Sequence, residues 1–232
     1  MGTDLRARVL AANLAIVDAG LVALTFGNAS GVDRAAGVMA IKPSGISYEE
    51  LDEGAIVLVD LTSGDVVEGE LRPSSDAPTH LVLYRQFPQV GGVVHTHSPF
   101  ATAWAQAGRD LPCLGTTHAD HFNGAVPVTR PLTGDEIEQA YEEATGVAVV
   151  ESIERAGVDP LDLPAALVRG HGPFVWGASV ADAVENAIAL EAVAALALRA
   201  LSIESQLGEI DERLRDRHFR RKHGPSRYYG QQ

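Results

Sequence analysis

Val93-Val94-His95-Thr96-His97-Ser98 decides how this chain is read. An apolar run ending in two histidines two residues apart fits a buried strand. Side chains alternate on a strand, so His95 and His97 share a face while Thr96 points away. Two imidazoles held by one rigid strand are half of a transition-metal site. The plainer reading of an isolated His-x-His, exposed or satisfied within a core, stands unless the rest of the chain supplies further ligands.

The 232 residues are enough for one large domain or two small ones, with 46% hydrophobic and 21% charged residues. A net charge of −13 argues against a nucleic-acid partner or an anionic membrane surface. It also means that an anionic substrate needs a local positive site. Cys113 is the one cysteine, so no intrachain disulfide can form, and a cytoplasmic setting is expected. The N-terminal residues lack a signal-peptide apolar core. Ala187 to Leu201 is Ala-rich, interrupted by Glu191 and Arg199, and reads as a buried helix rather than a membrane span.

Working outward from the histidines, the chain mixes helical and strand patterns. Asp4 to Ala19 has helical apolar spacing with Gly20 as a stop. Gly27-Asn28-Ala29-Ser30-Gly31 reads as a polar turn, Val38 to Ile41 as a strand, and Ser47-Tyr48-Glu49-Glu50 as the capped start of a short helix. Ile56 to Leu61 and Val66 to Glu68 form a hairpin pattern. Ser74-Ser75-Asp76 precedes a helix to about Phe87, with Pro78 in its first turn. Pro99 to Ala107 reads as a helix and Val126 to Val128 as a short strand. Thr133 to Glu136 is a capping box opening helix to about Ala156. Ala165 to Arg169 and Phe174 to Trp176 are strands around Gly170-His171-Gly172. Ser179 caps a long helix to about Ser205, and Ile210 to His223 is helical. Hairpin-linked strands interleaved with helices predict an α/β single domain: a central, mainly antiparallel β-sheet covered by α-helices.

His171, between two glycines in a tight turn, would complete a three-histidine face; the alternative is a turn histidine bonded to backbone. Asp76, at a helix start, is the candidate fourth ligand; the alternative is simple N-capping. Three histidines and a carboxylate suit Zn²⁺ or another borderline divalent ion. Three polar turns, Gly27-Asn28-Ala29-Ser30, Lys42-Pro43-Ser44-Gly45 and Ser74-Ser75, offer hydroxyls, backbone N–H groups and one cation for a phosphate. Each alone is an ordinary turn. Asp120, in Gly115-Thr116-Thr117-His118-Ala119-Asp120-His121, is a candidate base, and the tail carries Tyr228-Tyr229.

These motifs, with Leu24-Thr25-Phe26-Gly27-Asn28, Arg72-Pro73-Ser74-Ser75-Asp76, His171-Gly172-Pro173-Phe174 and Arg221-Lys222-His223-Gly224 through Tyr228-Tyr229-Gly230-Gln231, resemble the class II sugar-phosphate aldolase/epimerase family over essentially the full length. The Thr-Thr-His-Ala-Asp segment and the Tyr-Tyr-Gly-Gln tail look like its L-ribulose-5-phosphate 4-epimerase branch. The resemblance implies an isomerase of arabinose catabolism that interconverts L-ribulose 5-phosphate and D-xylulose 5-phosphate by retro-aldol cleavage and re-formation of C3–C4. It implies a Zn²⁺ site (Mn²⁺ or Co²⁺ as substitutes) of Asp76, His95, His97 and His171. The implied phosphate site is Gly27, Asn28, Lys42, Ser44, Gly45, Ser74 and Ser75. Asp120 and Tyr229 carry the implied acid/base roles. A fourfold homotetramer with interfacial active sites follows, in which one domain spans 1–232 and the tail (about 224–232) completes a neighbour's site. The alternatives are an aldolase releasing a free aldehyde and a non-catalytic binder of metal or sugar phosphate.

Overall fold

A computed structural model describes residues 2–223 and 228. Among them the elements run α1 (Gly2–Asp18), β1 (Asn28–Asp33), β2 (Val38–Ile41), β3 (Val57–Asp60), β4 (Val66–Glu68), α2 (Ala77–Gln86), β5 (Gly92–His95), α3 (Pro99–Ala107) and α4 (Thr116–Ala119). They continue α5 (Gly134–Gln139), α6 (Tyr141–Ala156), β6 (Ala165–Leu167), β7 (Pro173–Gly177), α7 (Val180–Ile203) and α8 (Glu212–His223). The strands form a 7-stranded sheet in the order β4-β3-β2-β1-β5-β7-β6. Every ladder between named strands is antiparallel, as the hairpin-rich sequence predicts.

Local chemistry explains most boundaries. In α1, Leu5, Val9, Ala12 and Ile16 follow helical spacing and are buried, and Gly20 closes the helix at φ +70°. The predicted capping box opens α5, with Thr133 and Glu136 each bonding the other's backbone N–H. Ser179 caps α7 by accepting from the Asp182 N–H. α7 is long and apolar enough to cross a bilayer by length and composition. Here it packs on the sheet instead, burying Val180, Ala183, Val184, Ala187 and Leu190.

Four local expectations are corrected. Gly27–Gly31 is not a turn: Asn28 begins β1, a central strand made of small and polar residues, which its composition hid. Ser47 does accept from the Glu50 N–H at 3.3 Å, but Asp52 and Gly54 follow and only one turn forms. Val126 and Val128 make isolated bridges to Leu111 and Leu167 rather than a strand. The helix from Thr133 breaks at Ala140, whose φ of −156° separates α5 from α6.

The sheet's two faces do different jobs, because residues paired directly across antiparallel ladders share a face. One row reads Gly31, Gly92 and Gly177 across β1, β5 and β7. A Cβ on Gly92 would lie 2.4 Å from Val180 Cα, and one on Gly177 2.6 Å from Asp182 Cβ. The row is a bare seat for the start of α7. On the opposite face, Asn28, His95 and Phe174 form the matching row, under α2 and α6. That row is the floor of the site.

Candidate metal and phosphate site

His95 is 1% exposed, and its ring stacks on Phe174 with centroids 4.2 Å apart. Its Nδ1 lies 2.9 Å from the Pro173 carbonyl oxygen. A carbonyl only accepts, so Nδ1 carries the proton and Nε2 is left as a lone-pair donor. His97 follows two residues later, and His171 enters from the turn between β6 and β7. His97 Nε2 lies 3.1 Å from His95 Nε2 and 3.1 Å from His171 Nε2. The three ligand atoms all fall within 4.8 Å of one another.

At most one of those two close contacts can be an N–H···N bond, because His97 Nε2 bears either a proton or a lone pair, not both. A cation among the nitrogens satisfies all three lone pairs. Tetrahedral coordination at Zn–N of about 2.0–2.1 Å separates ligand nitrogens by roughly 3.3 Å, close to the spacing found. Burial pushes the His95 pKa down to about 3, although Asp76 pulls it upward; burial also lowers His97 and His171. Neutral imidazoles are the ligating form.

Asp76 sits at the N-cap of α2, but its side chain makes no cap hydrogen bond. Its Oδ2 accepts from Asn28 Nδ2 at 2.7 Å. Burial opposes ionisation of Asp76, but the His95 and His80 imidazoles and the Asn28 bond outweigh it and hold the carboxyl below its usual range. The capping alternative therefore does not describe this side chain.

The polar turns are built beside it. Ser44 N–H bonds the Arg72 carbonyl at 3.0 Å, and Ser74 N–H bonds the Lys42 carbonyl at 2.9 Å, so the two turns are stitched together. Gly27 has φ +96°, and a Cβ there would lie 2.8 Å from the His95 carbonyl oxygen. Only glycine fits that approach. Tyr48 fixes the same turn by donating to the Gly27 carbonyl at 2.8 Å. Lys42 is 2% exposed; its Nζ bonds the Ile46 carbonyl at 2.7 Å, lies over the Tyr48 ring, and has its pKa lowered by burial. Gly27, Asn28, Lys42, Ser44, Gly45, Ser74, Ser75, Asp76, His95, His97 and His171 all line one cavity of about 400 Å³.

A family model described as "Class II Aldolase and Adducin N-terminal domain" matches residues 7–198. The chain belongs to that family. An L-fuculose 1-phosphate aldolase of known structure is 26% identical with a TM-score of 0.77, covering 93% of this chain and 94% of the other. YgbL from Escherichia coli shares the fold at 23% identity and a TM-score of 0.74, covering 93% and 98%. An L-fuculose-1-phosphate aldolase from Thermus thermophilus does so at 24% and 0.69, covering 88% and 99%. The antiparallel sheet flanked by helices is thus the class II aldolase fold.

Asp120 is not among the residues lining this class II aldolase cavity. It ends α4, where Arg221 of α8 grips its carboxylate at 2.7 and 3.0 Å and His218 Nδ1 lies 3.1 Å away. Burial alone would raise the Asp120 pKa; the Arg221 and His218 hydrogen bonds outweigh it and hold the carboxyl below the usual range. Tyr229 lies outside the described residues. Its neighbour Tyr228 bonds back to the Arg221 carbonyl at 3.1 Å. Sequence reasoning missed five cavity residues: Thr25 and Pro43 beside the polar turns, Phe26, whose ring is 5.8 Å from that of His97, Tyr141, whose hydroxyl is 3.3 Å from His171 Nδ1, and Glu142. The signal was hidden in what read as a continuous helix; the Ala140 break turns Tyr141 and Glu142 toward the site.

Proposed function

We propose that this chain is a divalent-cation-dependent enzyme of sugar-phosphate carbon–carbon chemistry, and within that class an L-ribulose-5-phosphate 4-epimerase. The observation that carries the reading is the single cavity joining three convergent imidazoles and Asp76 to a phosphate cradle. His95, His97, His171 and Asp76 would hold the cation, with Zn²⁺ expected and Mn²⁺ or Co²⁺ as substitutes. When bound, the cation supplies a Lewis acid that polarises a substrate carbonyl and its neighbouring hydroxyl.

The remaining tasks fall to side chains and backbone. Lys42, with the hydroxyls of Ser44, Ser74 and Ser75 and the backbone N–H groups of Gly45 and Ser75, holds the phosphate, and Gly27-Asn28 borders it. C4 of L-ribulose 5-phosphate is not next to the carbonyl, so its hydrogen is not acidic. Inversion instead requires breaking C3–C4: the C4 hydroxyl loses its proton, and the C3–C4 electron pair stays on the three-carbon fragment. The phosphate-anchored aldehyde then turns its other face, the bond re-forms, and the new C4 oxygen regains a proton. Two proton-transfer groups on opposite faces meet this need, and Asp120 and Tyr229 are the candidates. Asp76 is less suited, being bonded to Asn28 within the ligand set.

Because Asp120 is tied to α8 away from its own chain's cavity, it would serve a neighbour's site. That supports the homotetramer with interfacial sites. Exposed Leu196, Leu198 and Ile203 on α7 give such an interface apolar surface to bury. Arabinose catabolism in the cytoplasm is the setting this reading implies.

A second reading is an aldolase that releases the aldehyde, favoured by the likeness to the L-fuculose 1-phosphate aldolase. Incubation with L-ribulose 5-phosphate separates the two. D-xylulose 5-phosphate without free glycolaldehyde phosphate is the expected result; accumulation of the aldehyde sinks the epimerase reading.

A further inference from the structure

Most of the cavity lining is hydroxyl, amide, carboxylate and imidazole, yet a phenyl ring stands among these groups. Phe26 is half-exposed and lies outside the hydrophobic core. Its ring centroid is 5.8 Å from that of His97, with the planes tilted by 33°. In the chain it directly precedes Gly27-Asn28. Asn28 Nδ2 donates to Ser74 Oγ in a phosphate turn at 3.0 Å and to Asp76 Oδ2 at 2.7 Å. Phe26 therefore stands where the ligand half of the cavity meets the phosphate half.

The turn that presents the ring is pinned. Gly27 is held by its close approach to the His95 carbonyl and by the Tyr48 hydroxyl. The Phe26 N–H bonds the Ala23 carbonyl at 3.1 Å. Between these pins Leu24 takes a φ of +55°, the one positive φ outside glycine among the described residues. A branched side chain is unfavourable there. Leu24 is 81% exposed, so its own packing does not offset the strain; the pins around Phe26 sustain it.

We propose that Phe26 is the wall that keeps the cleaved aldehyde in the site, and so decides between epimerisation and release. This rests on the proposed C3–C4 cleavage. When that bond breaks, the C4 hydroxyl loses its proton and C4 becomes the aldehyde carbon of glycolaldehyde phosphate, held only through its phosphate. The electron pair stays on C3; if the aldehyde escapes, that fragment takes up a proton and leaves as dihydroxyacetone. A phenyl face excludes water and makes no directional hydrogen bond to an aldehyde oxygen. The aldehyde can turn against it without being hydrated or fixed by one face.

The test gives L-ribulose 5-phosphate to full-length, Zn²⁺-loaded wild type, Phe26→Ala and Phe26→Trp. It measures the ratio of trapped glycolaldehyde phosphate to D-xylulose 5-phosphate, with metal content and circular dichroism reporting folding separately. Loss of the aromatic contact in Phe26→Ala should raise that ratio about tenfold, whereas Phe26→Trp keeps an aromatic face and should stay near wild type. Removing a wall opens the way in as well as out. Dihydroxyacetone with added, subsaturating glycolaldehyde phosphate should therefore condense faster in Phe26→Ala. A higher ratio with slower condensation marks lost affinity instead and overturns the proposal. So does a folded, metallated Phe26→Ala protein with the wild-type ratio, which leaves the epimerase reading intact. If Phe26→Ala does not fold, a wild-type ratio in Phe26→Val overturns it. Wild type that releases aldehyde and forms no D-xylulose 5-phosphate overturns the epimerase reading itself, and the wall with it.

Discussion

Mixing two inactive variants should regenerate activity, and by a calculable amount. His97→Asn removes the imidazole whose Nε2 lies 3.1 Å from both other ligand nitrogens. Asp120→Asn removes a carboxylate that lies outside its own chain's cavity, and a positioned acid/base group typically contributes ~10²–10⁴-fold. The second variant should still fold. Asp120 and Arg221 side chains are 14% and 23% exposed, so loss of that pair costs roughly 1 kcal/mol, or about 2–4 °C in Tm for a chain of this size. Each variant alone should be nearly inactive. In a randomly mixed oligomer, a site is intact when its cavity comes from an Asp120→Asn chain and its Asp120 from a His97→Asn chain. Each condition is met half the time, so roughly one quarter of sites should work under closed symmetry with one donor per cavity. Co-expression with two affinity tags, purification of hybrids and a D-xylulose 5-phosphate assay measure it. If Asp120 acted within its own chain, every site in the mixture would carry a lesion; hybrids no more active than the parents would refute delivery by a neighbour.

Three further outcomes are expected. Gly92→Ala forces a Cβ to 2.4 Å from Val180 Cα and 2.7 Å from the Ser179 carbonyl oxygen, backbone atoms that cannot swing aside. It should cost about 3 kcal/mol, or roughly 6–12 °C in Tm, whereas Gly134→Ala, with open space around it, should be neutral or slightly stabilising by calorimetry. His80 and His118 are buried with pKa values lowered to about 4 from 6.5. The unfolded chain takes up protons that the fold refuses, so stability is full above about pH 6.5 and falls toward pH 4, by about 3 kcal/mol per histidine; a flat urea midpoint across that range would contradict it. Chelator treatment should lower Tm, and Zn²⁺ at about 100 times its Kd should restore about 2.7 kcal/mol; identical melting curves with and without chelator would argue against a cation bound to the native state.

The site was legible because its chemistry is written in residue types at fixed offsets. His95-x-His97 on a strand, a glycine-flanked His171 and serines before Asp76 need no tertiary information to be singled out. β1 was not legible: Asn28-Ala29-Ser30-Gly31 lacks the β-branched residues that mark strands, because one face must seat α7 and the other must carry polar groups to Asp76 and His80. The Ala140 break was invisible because alanine is the best helix former. The separation of Asp120 from the cavity is a fact of packing between α4 and α8, which no periodicity encodes.

The row Asn28–His95–Phe174 also carries a consequence for how the chain reaches its native state. β1 to β4 can zip up from near neighbours, but the seams that create the site join residues far apart: 48 between Asn28 and Asp76, 74 between His97 and His171, and 78 between His95 and Pro173. Closing such loops is slow and entropically unfavourable until the strands on both sides exist. The cavity is therefore among the last places to assemble. A chain emerging from the ribosome carries the phosphate turns, Asp76 and the first two imidazoles well before His171, and it exposes a partial, unselective ligand set in the interval.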